Sequence, residues 1–191
     1  LLGPSLELGR SFVRPEHQRD PSALAMLWKG IGGYVARHPR YRRLFGPVSI
    51  SADYHTLSRD LIAAWLVRHA AALPLAGVRA RRPVVPHPDI RALVEHGALA
   101  SLAALDATVR ELEGGRGIPV LLRQYLRLNG RVLAISRDPA FGNVTDVLVV
   151  VDVLEMPSNH LERYCGTEGA RRIHEYARVG IGDLEVASDV A

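Results

Sequence analysis

The sequence predicts an α/β domain built on a mixed sheet. Apolar runs of strand length alternate with segments of helical periodicity in the first half of the chain, and two β-branched strands follow late in the second half. The 191 residues are 48% hydrophobic and 23% charged, which is typical of one globular domain and excludes a disordered chain. No run approaches the roughly 20 apolar residues that a membrane-spanning helix needs.

The first half of the chain contains two predicted strand and helix pairs. A strand over residues 6–13 ends where Arg14-Pro15 removes a ladder donor. A helix follows from an Asp20 cap, with Pro21 at its first position, to His38-Pro39. A buried strand is predicted over 44–51, and a second amphipathic helix over 53–73, before Pro74.

The second half begins with a loop rich in arginine and proline. Arg79, Arg81 and Arg82 lie among Gly77, Pro83, Pro86 and Pro88, a pattern that predicts an irregular basic segment over 76–88. The segment PVLLRQYLRL, residues 119–128, is either a strand or a helix, and Pro119 at its start with Asn129-Gly130 after it favours a helix. The remaining predictions are a weaker helix over 99–112, strands over 131–136 and 146–153, and a helical tail over 158–178.

Composition restricts the chemistry further. Cys165 is the single cysteine, so the chain has neither an internal disulfide nor a cysteine-based metal site, and its histidines lack metal-ligand spacing. We predict no metal.

Lys29 is the one lysine among 24 basic residues, and arginine binds carboxylates and phosphates bidentately. Acidic proteins, anionic lipid and nucleic acid are therefore admissible partners.

Two features of the early strands indicate an opening in the sheet. Glu7 and Arg10 would point to opposite faces of a regular strand, but Gly9 between them is typical of a bulge that brings both to one face. The alternative is a surface ion pair. Pro47 removes a ladder hydrogen bond from the next strand, as in a strand that has separated from its neighbour or in a short edge strand. Separated strands would hold an extended pantetheine-like arm through backbone groups.

These residues carry a family resemblance. The segments ELGRSFVRPEHQRD, ALAMLWKGIGGYVARH, YRRLFGPVSIS, SADYHTLSRDLI and PVLLRQYLRLNGRVLAISRDPAFGNVTD resemble the GNAT-superfamily N-acyltransferases that place fatty acyl chains on ornithine. These enzymes are often labelled hemolysin-like and are related to the acyl-homoserine-lactone synthases. The match covers roughly residues 5–153.

The resemblance implies a GNAT-like mixed sheet with splayed central strands flanked by helices, whose first strands are absent from this chain. It implies that residues 1–156 are the C-terminal part of the acyltransferase domain and that 157–191 form a helical tail. The missing upstream part would belong to the same protein, and long members of the family add a glycerolipid-type acyltransferase domain there. We expect the truncated chain to be inactive alone.

The resemblance also implies an acyl thioester donor and a small amino-acid acceptor such as ornithine. Glu7 and Arg10 match the Glu and Arg of the related strand in the lactone synthases, where they line the acyl and acceptor site. We expect Glu7 to act as the base or to orient the amine. The predicted catalytic residues are completed by Ser49, Ser51 and Tyr54, as donors to the oxyanion or leaving thiolate, unless they serve turns and caps. The predicted substrate-binding residues are Ser11, Phe12, Val13, Asp138, Phe141, Asn143 and Asp146.

The loop after the first strand bears on the donor. In acetyl-CoA-dependent members, a glycine-containing loop presents backbone N–H groups to the pyrophosphate at a helix N-terminus. The loop HQRDPS here lacks glycine, and Asp20 brings negative charge. We therefore predict the acyl-phosphopantetheine of acyl carrier protein as donor, rather than acyl-CoA, with no permanently bound cofactor. The arginines predicted to contact the acidic carrier protein are Arg14, Arg19, Arg40, Arg42 and Arg43, unless they are simply solvated.

Two other functions stay open. A non-catalytic basic module would bind anionic membrane or nucleic acid, although the aromatics are not interleaved with the arginines as nucleic-acid binding favours. A lactone-type synthase would acylate S-adenosylmethionine instead. We predict the acyltransferase, in the cytoplasm, with no nucleic acid partner and at most a peripheral contact with an anionic membrane.

Overall fold

The computed structural model describes residues 3–9, 13–17, 20–72 and 78–188, which form four strands and six α-helices. The strands are β1 (Ser5–Glu7), β2 (Arg43–Ile50), β3 (Arg131–Asp138) and β4 (Val144–Asp152). The helices are α1 (Pro21–Arg37), α2 (Thr56–His69), α3 (Pro88–Glu95), α4 (Leu102–Leu112), α5 (Val120–Arg127) and α6 (Ser158–Ser188).

The strands form one sheet in the order β1-β2-β4-β3. The last two strands are an antiparallel pair, with Ser136 opposite Asp146 and Ala134 opposite Leu148. The pairing shifts register between Val132 and Ala134. Strands and helices thus alternate along the chain around a mixed sheet, which confirms the predicted α/β class.

Internal contacts divide the chain into two compact units, of which the first comprises residues 45–150. Helix α2 contacts α3, α4 and β3 in this unit. Its core is aliphatic, and Trp65 within it donates its indole N–H to the carbonyl of Leu99 at 2.9 Å. The largest fully buried side chains of this unit include Ile50, Ile62, Leu66, Leu105, Leu122, Leu128 and Val147.

The second unit contains the described residues before 45 and those from 151 onward. Helices α1 and α6 pack closely in it, and Gly32 makes the approach possible, because a Cβ there would lie 2.4 Å from the Tyr164 carbonyl oxygen. The rings of Trp28 and Tyr164 lie 5.9 Å apart at the same contact. Helix α6 changes direction at Gly166, whose φ of 73° lies outside the helical region.

Most predicted boundaries agree with the structure to within a few residues. The helix predicted over 20–38 is α1, with Asp20 as its N-cap and Pro21 in its first turn. Strand β1 is shorter than predicted, since it ends at Glu7. Residues 10–12 and 73–77 lie outside the described residues, so the bulge and the splaying beyond β1 stay predictions. Helix α3 was not predicted, because Gly77, Pro83 and Pro86 before it, with Pro88 at its start, mask an eight-residue helix.

Among the described residues, no helix is both long enough and apolar enough to cross a membrane.

Candidate functional site

A groove of about 640 Å³ lies on the open face of the sheet in the first unit. Strand β2 alternates buried Val48 and Ile50 with exposed Pro47 and Ser49, because successive side chains point to opposite faces. The groove takes its floor from this open face. The residues that the strands and the turn between β3 and β4 contribute to its lining are Pro47, Ala134, Ser136, Arg137, Asp138, Ala140, Asp146 and Leu148.

A carboxylate lies at the centre of this floor. Asp146 on β4 accepts a hydrogen bond of 2.6 Å from the Ser49 hydroxyl, from Oγ to Oδ1, and faces Ser136 across the β3–β4 pair. Among the described residues no protein group is bonded to its second oxygen, Oδ2. Asp146 is therefore oriented by one oxygen and free to accept from a ligand through the other.

The basic segment, residues 79–82, forms one wall of the groove. Backbone hydrogen bonds attach its end to β3: the carbonyl of Arg82 accepts from the Arg137 N–H at 2.9 Å, and the Val84 N–H donates to the Ile135 carbonyl at 3.1 Å. The Ser136 hydroxyl also donates to the Arg82 carbonyl. These bonds use main-chain groups, so the arginine side chains remain free to contact a ligand.

The turn between β3 and β4 closes the end of the groove. Asp138 accepts through Oδ1 from the N–H groups of Ala140 at 2.9 Å and Phe141 at 3.2 Å, as aspartate often does in turns. Asn143 has a φ of 54°, which asparagine tolerates better than most residues. Phe141 is 69% exposed and is not among the groove-lining side chains.

Ser51 and Tyr54 have structural partners. The Ser51 hydroxyl accepts from the Asp53 N–H and donates to the Asp53 carboxylate, which forms a tight local turn before α2. Tyr54 is 7% exposed, donates its hydroxyl to the Gly117 carbonyl at 2.7 Å, and carries the Arg116 guanidinium 3.9 Å from its ring centre. Their catalytic role stays a prediction.

The other predicted site residues belong to the second unit. The Glu7 carboxylate lies beside Gly9, where an added Cβ would be 3.1 Å from Oε1. Val13 is half-buried in a loop. Arg10, Ser11, Phe12 and Arg19 lie outside the described residues, so the role predicted for each stays a prediction.

The arginines predicted to meet a carrier protein are partly engaged with their own chain. Arg42 and Arg43 both approach the Asp152 carboxylate, at 3.1 Å and 3.4 Å from Nε to Oδ2, and each is about one third exposed. Arg14 pairs with Glu16 at the surface. The Arg40 guanidinium lies 4.7 Å from the ring centre of Tyr41. Exposed surface remains on all four for an acidic partner.

Sequence reasoning missed the basic segment as part of the site. Arg79, Arg81 and Arg82 were interpreted as part of a basic loop, since the pairing that brings them to β3 joins residues more than fifty positions apart. The structure places Pro83 in an isolated antiparallel bridge with Ser136, a pairing that no local signal predicts. Ser136 was predicted only as a strand residue, and Arg137 lay just after the predicted strand.

The chemistry of the groove follows from its opposed charges. Arginines provide donors for an anion, and Asp146 provides an acceptor for an ammonium or amine. Among the described residues, no three His, Cys, Asp or Glu side chains cluster as metal ligands. The groove is therefore suited to a small polar ligand that carries both charges.

Comparison with known proteins gives three relatives, each an N-acyltransferase. The chain is 37% identical over 160 residues to an L-ornithine N(alpha)-acyltransferase of Rhodobacter capsulatus, a match that covers 83% of this chain and 54% of the relative. It is 27% and 29% identical to glycine N(alpha)-acyltransferases of Phocaeicola vulgatus and Bacteroides thetaiotaomicron, over 80% and 79% of this chain and 49% and 48% of the relatives.

The chain thus spans about half the length of the curated relatives it matches. No protein-family model matches the chain, and no solved structure does. Over four fifths of its length the chain is similar to amino-acid N-acyltransferases, and this confirms the resemblance found in the sequence.

Proposed function

We propose that the natural protein is an N-acyltransferase that moves a long-chain fatty acyl group from a thioester donor to the α-amine of a small amino acid such as ornithine. The observation that carries the proposal is the 37% identity over 160 residues to an L-ornithine N(alpha)-acyltransferase. The groove adds support, because it offers an oriented carboxylate beside donors for a second, negatively charged group.

The reaction forms one amide bond and breaks one thioester bond. The neutral amine attacks the thioester carbonyl carbon, the C–S bond breaks, and the released thiolate takes up a proton while the amine nitrogen gives one up. A positioned base or water chain must accept the amine proton, and donors must stabilise the oxyanion. The products are the N-acyl amino acid and the free thiol of the carrier.

Within the groove, Asp146 is the proposed acceptor for the substrate amine. Its free oxygen Oδ2 can accept an N–H, while Ser49 fixes the carboxylate through Oδ1. The Ser49 hydroxyl carries one hydrogen, and that hydrogen is committed to Asp146. Donation to an oxyanion, the role predicted for Ser49, would require this bond to break. Glu7 is proposed as the base by resemblance.

We propose acyl carrier protein rather than coenzyme A as donor. The N-terminus of α1, where a pyrophosphate would bind, is occupied by the Asp20 carboxylate, which accepts from the Ser22 N–H at 2.8 Å. These hydrogen bonds from Ser22 lower the pKa of Asp20, so the carboxylate is held in its charged form. An anionic capping group would repel a second anion there.

The proposal includes three partners: the carrier protein, an anionic membrane surface and further sequence of the same protein. Exposed Arg14 and Arg40 and the half-exposed Arg42 and Arg43 offer positive charge to the acidic carrier protein. A long-chain acyl product is poorly soluble in water, which favours a peripheral contact with an anionic membrane. Further sequence upstream in the same protein, with a glycerolipid-type acyltransferase domain in long members, is proposed from the resemblance.

The test uses the natural full-length protein with a long-chain acyl-carrier-protein donor, an acyl-CoA donor and a panel of free amino acids. Mass spectrometry identifies the acylated product, and Glu7→Gln is assayed beside the wild type. We expect N-acyl ornithine from the carrier-protein donor and its loss in the variant. If no amine is acylated from either donor, the acyltransferase proposal fails and salt-dependent binding to lipid or DNA becomes the function to test.

A further inference from the structure

Four arginines surround the groove that contains Asp146. Arg79, Arg81, Arg82 and Arg137 all line it, and the first three are exposed side chains on the wall opposite β2 and β4. Among the described residues, none of the four forms an ion pair with Asp or Glu. Arg123, by contrast, pairs with Asp106 at 3.2 Å.

The position of these arginines is set by main-chain bonds. The Arg82 carbonyl and the Val84 N–H are bonded to β3, and Ser136 reinforces the attachment. The wall therefore keeps its place beside the sheet without using any guanidinium. Side chains that are held close to a groove and left without protein partners are available for a ligand, and guanidinium binds carboxylate in a bidentate fork.

We propose that the basic segment and Arg137 bind the α-carboxylate of the acceptor amino acid, while Asp146 receives its α-amino group. This inference rests on the proposed function and deepens it, because it states how the acceptor is recognised. An amino-acid zwitterion carries one negative and one positive group on the same carbon atom, and the groove presents the complementary pair on one sheet face and its wall. The same geometry determines which amine of a diamine is acylated.

The alternative anion is the phosphate of the donor's phosphopantetheine arm. Asp138 and Asp146 line the same groove, so a phosphate bound there would share it with two carboxylates. The phosphate of this arm is a phosphodiester with one negative charge, and both carboxylates would repel it. A zwitterion instead turns its ammonium toward Asp146 and its carboxylate toward the arginines. The mixed charge of the groove therefore favours the amino acid.

A second carboxylate also fits a diamino acid. Asp138 uses Oδ1 for the turn that follows β3, and no protein group among the described residues is bonded to its other oxygen. Ornithine carries a side-chain ammonium that glycine lacks. An acceptor with two ammonium groups and one carboxylate would meet two aspartates and the arginine wall, which matches the charges of the groove better than glycine does.

The test compares acceptors that differ by one group, using the natural full-length protein and one acyl-carrier-protein donor. Ornithine is compared with its methyl ester and with 1,4-diaminobutane, which retain amines but lack the free carboxylate. We expect kcat/KM to fall by at least about tenfold for both analogues, as the loss of a charge-assisted bidentate contact predicts. Equal rates for ornithine and diaminobutane would overturn the inference and leave the acyltransferase intact.

Single substitutions of the four groove arginines test which of them contacts the acceptor carboxylate. Arg79→Gln, Arg81→Gln, Arg82→Gln and Arg137→Gln are made singly, and Arg172→Gln on α6 is the matched control, because it is an exposed arginine of the second unit. At least one groove variant should raise KM for ornithine about tenfold while KM for the acyl donor stays unchanged. That variant should also lose its preference for ornithine over diaminobutane.

The inference is overturned if none of the four variants shows the expected change, and three results would show this. The first is a groove variant that raises KM for the donor alone, which would mark a phosphate site. The second is a set of four variants that all behave as Arg172→Gln does. The third is a variant that loses activity toward ornithine and diaminobutane equally, which would show that the arginine does not contact the carboxylate. Failure of the wild type to acylate any acceptor would refute the proposed function itself.

Discussion

Ser49 and Asp146 join two strands across 97 positions of sequence, with the serine hydroxyl 2.6 Å from the aspartate Oδ1. Both side chains lie on the open face of the sheet, and the bond adds a fixed direction to a carboxylate that would otherwise rotate. An exposed pair of this kind contributes little to folding. Its effect should therefore be seen in substrate recognition.

Ser49→Ala is expected to lower kcat/KM for the amino acid roughly ten- to hundredfold, because Asp146 loses the bond that orients it. The free energy of unfolding should change by no more than about 0.5 kcal/mol. Ser49→Thr keeps the hydroxyl and suits a strand, so it should restore most of the activity. Steady-state kinetics with a fixed donor concentration measures both. Equal activity of the alanine and threonine variants would refute the role of this bond.

Tyr54→Phe tests whether the Tyr54 hydroxyl, which is predicted to donate to the oxyanion, serves stability or catalysis. The variant loses the 2.7 Å bond to the Gly117 carbonyl, and we expect it to lower the free energy of unfolding by about 1 kcal/mol. Burial raises the pKa of Tyr54, so its hydroxyl stays protonated at neutral pH. Urea denaturation measures the stability. A kcat reduced more than about a hundredfold in a folded variant would instead place this hydroxyl at the reaction.

Gly32→Ala should destabilise the contact between α1 and α6. The added Cβ would lie 2.4 Å from the backbone oxygen of Tyr164, so the helices must move apart, at a cost of about 1–3 kcal/mol. Gly30→Ala is the matched control, since a Cβ there meets nothing within 4 Å, and helix propensity predicts a gain of up to about 1 kcal/mol. Thermal unfolding of the two variants should shift in opposite directions. Equal shifts would contradict the packing described here.

Asp106 connects α4 to the segment before α5, and it should make stability depend on pH. Burial acts to raise its pKa, but bonds from Arg110 and the Ile118 N–H, with the charge of Arg123, outweigh it and hold the pKa below the usual range. The stabilisation is present above about pH 4, the range of an unfolded aspartate, and is lost as pH falls through the lower folded pKa.

Asp106→Asn should therefore lower the free energy of unfolding at pH 7 by about 1–3 kcal/mol, and less at acidic pH. Urea denaturation at pH 7 and at pH 3 measures the difference. Glu111→Gln on the same helix is the control, because the Glu111 side chain is exposed and forms no hydrogen bond or ion pair with another described residue. A loss that is the same at both pH values would contradict the role of the charge.

Cys165 should react slowly with thiol reagents. Burial raises its pKa to about 11, so roughly 0.1% of the thiol is ionised at pH 8, against about a quarter of a free cysteine. The rate with a disulfide reagent should rise strongly when the protein is unfolded in urea. A folded rate equal to that of free cysteine would show that the thiol is not protected.

Short-range patterns predicted the elements, and long-range pairing decided the site. The Asp20 cap, the proline at the start of α1 and the β-branched run of β4 are local signals, and each element formed where it was predicted. Asp138 and Asp146 were correctly assigned to one region, since a short turn joins their strands.

The hydrogen bond from Ser49 to Asp146 and the attachment of residues 82–84 to β3 have no local signal, because they depend on the order of strands in the sheet. The basic segment was predicted as loop for the same reason. A segment of arginines and prolines has the same sequence pattern in a loop that extends into solvent and in a segment that lies against a strand edge. The sequence therefore left unpredicted which segments lie next to each other in the fold, whereas the residue types themselves were recognised.

The attachment of the basic segment through the main chain has a consequence for how acceptor preference can change. Every residue type has a backbone carbonyl, and every type except proline has a backbone N–H, so exchange of the side chains at 79, 81 and 82 leaves the anchoring bonds of Arg82 and Val84 in place. Mutational drift or laboratory selection can thus alter the charge and reach of this wall without refolding the sheet beneath it. The proposed specificity and the attachment to the sheet thus depend on different atoms of the same few residues.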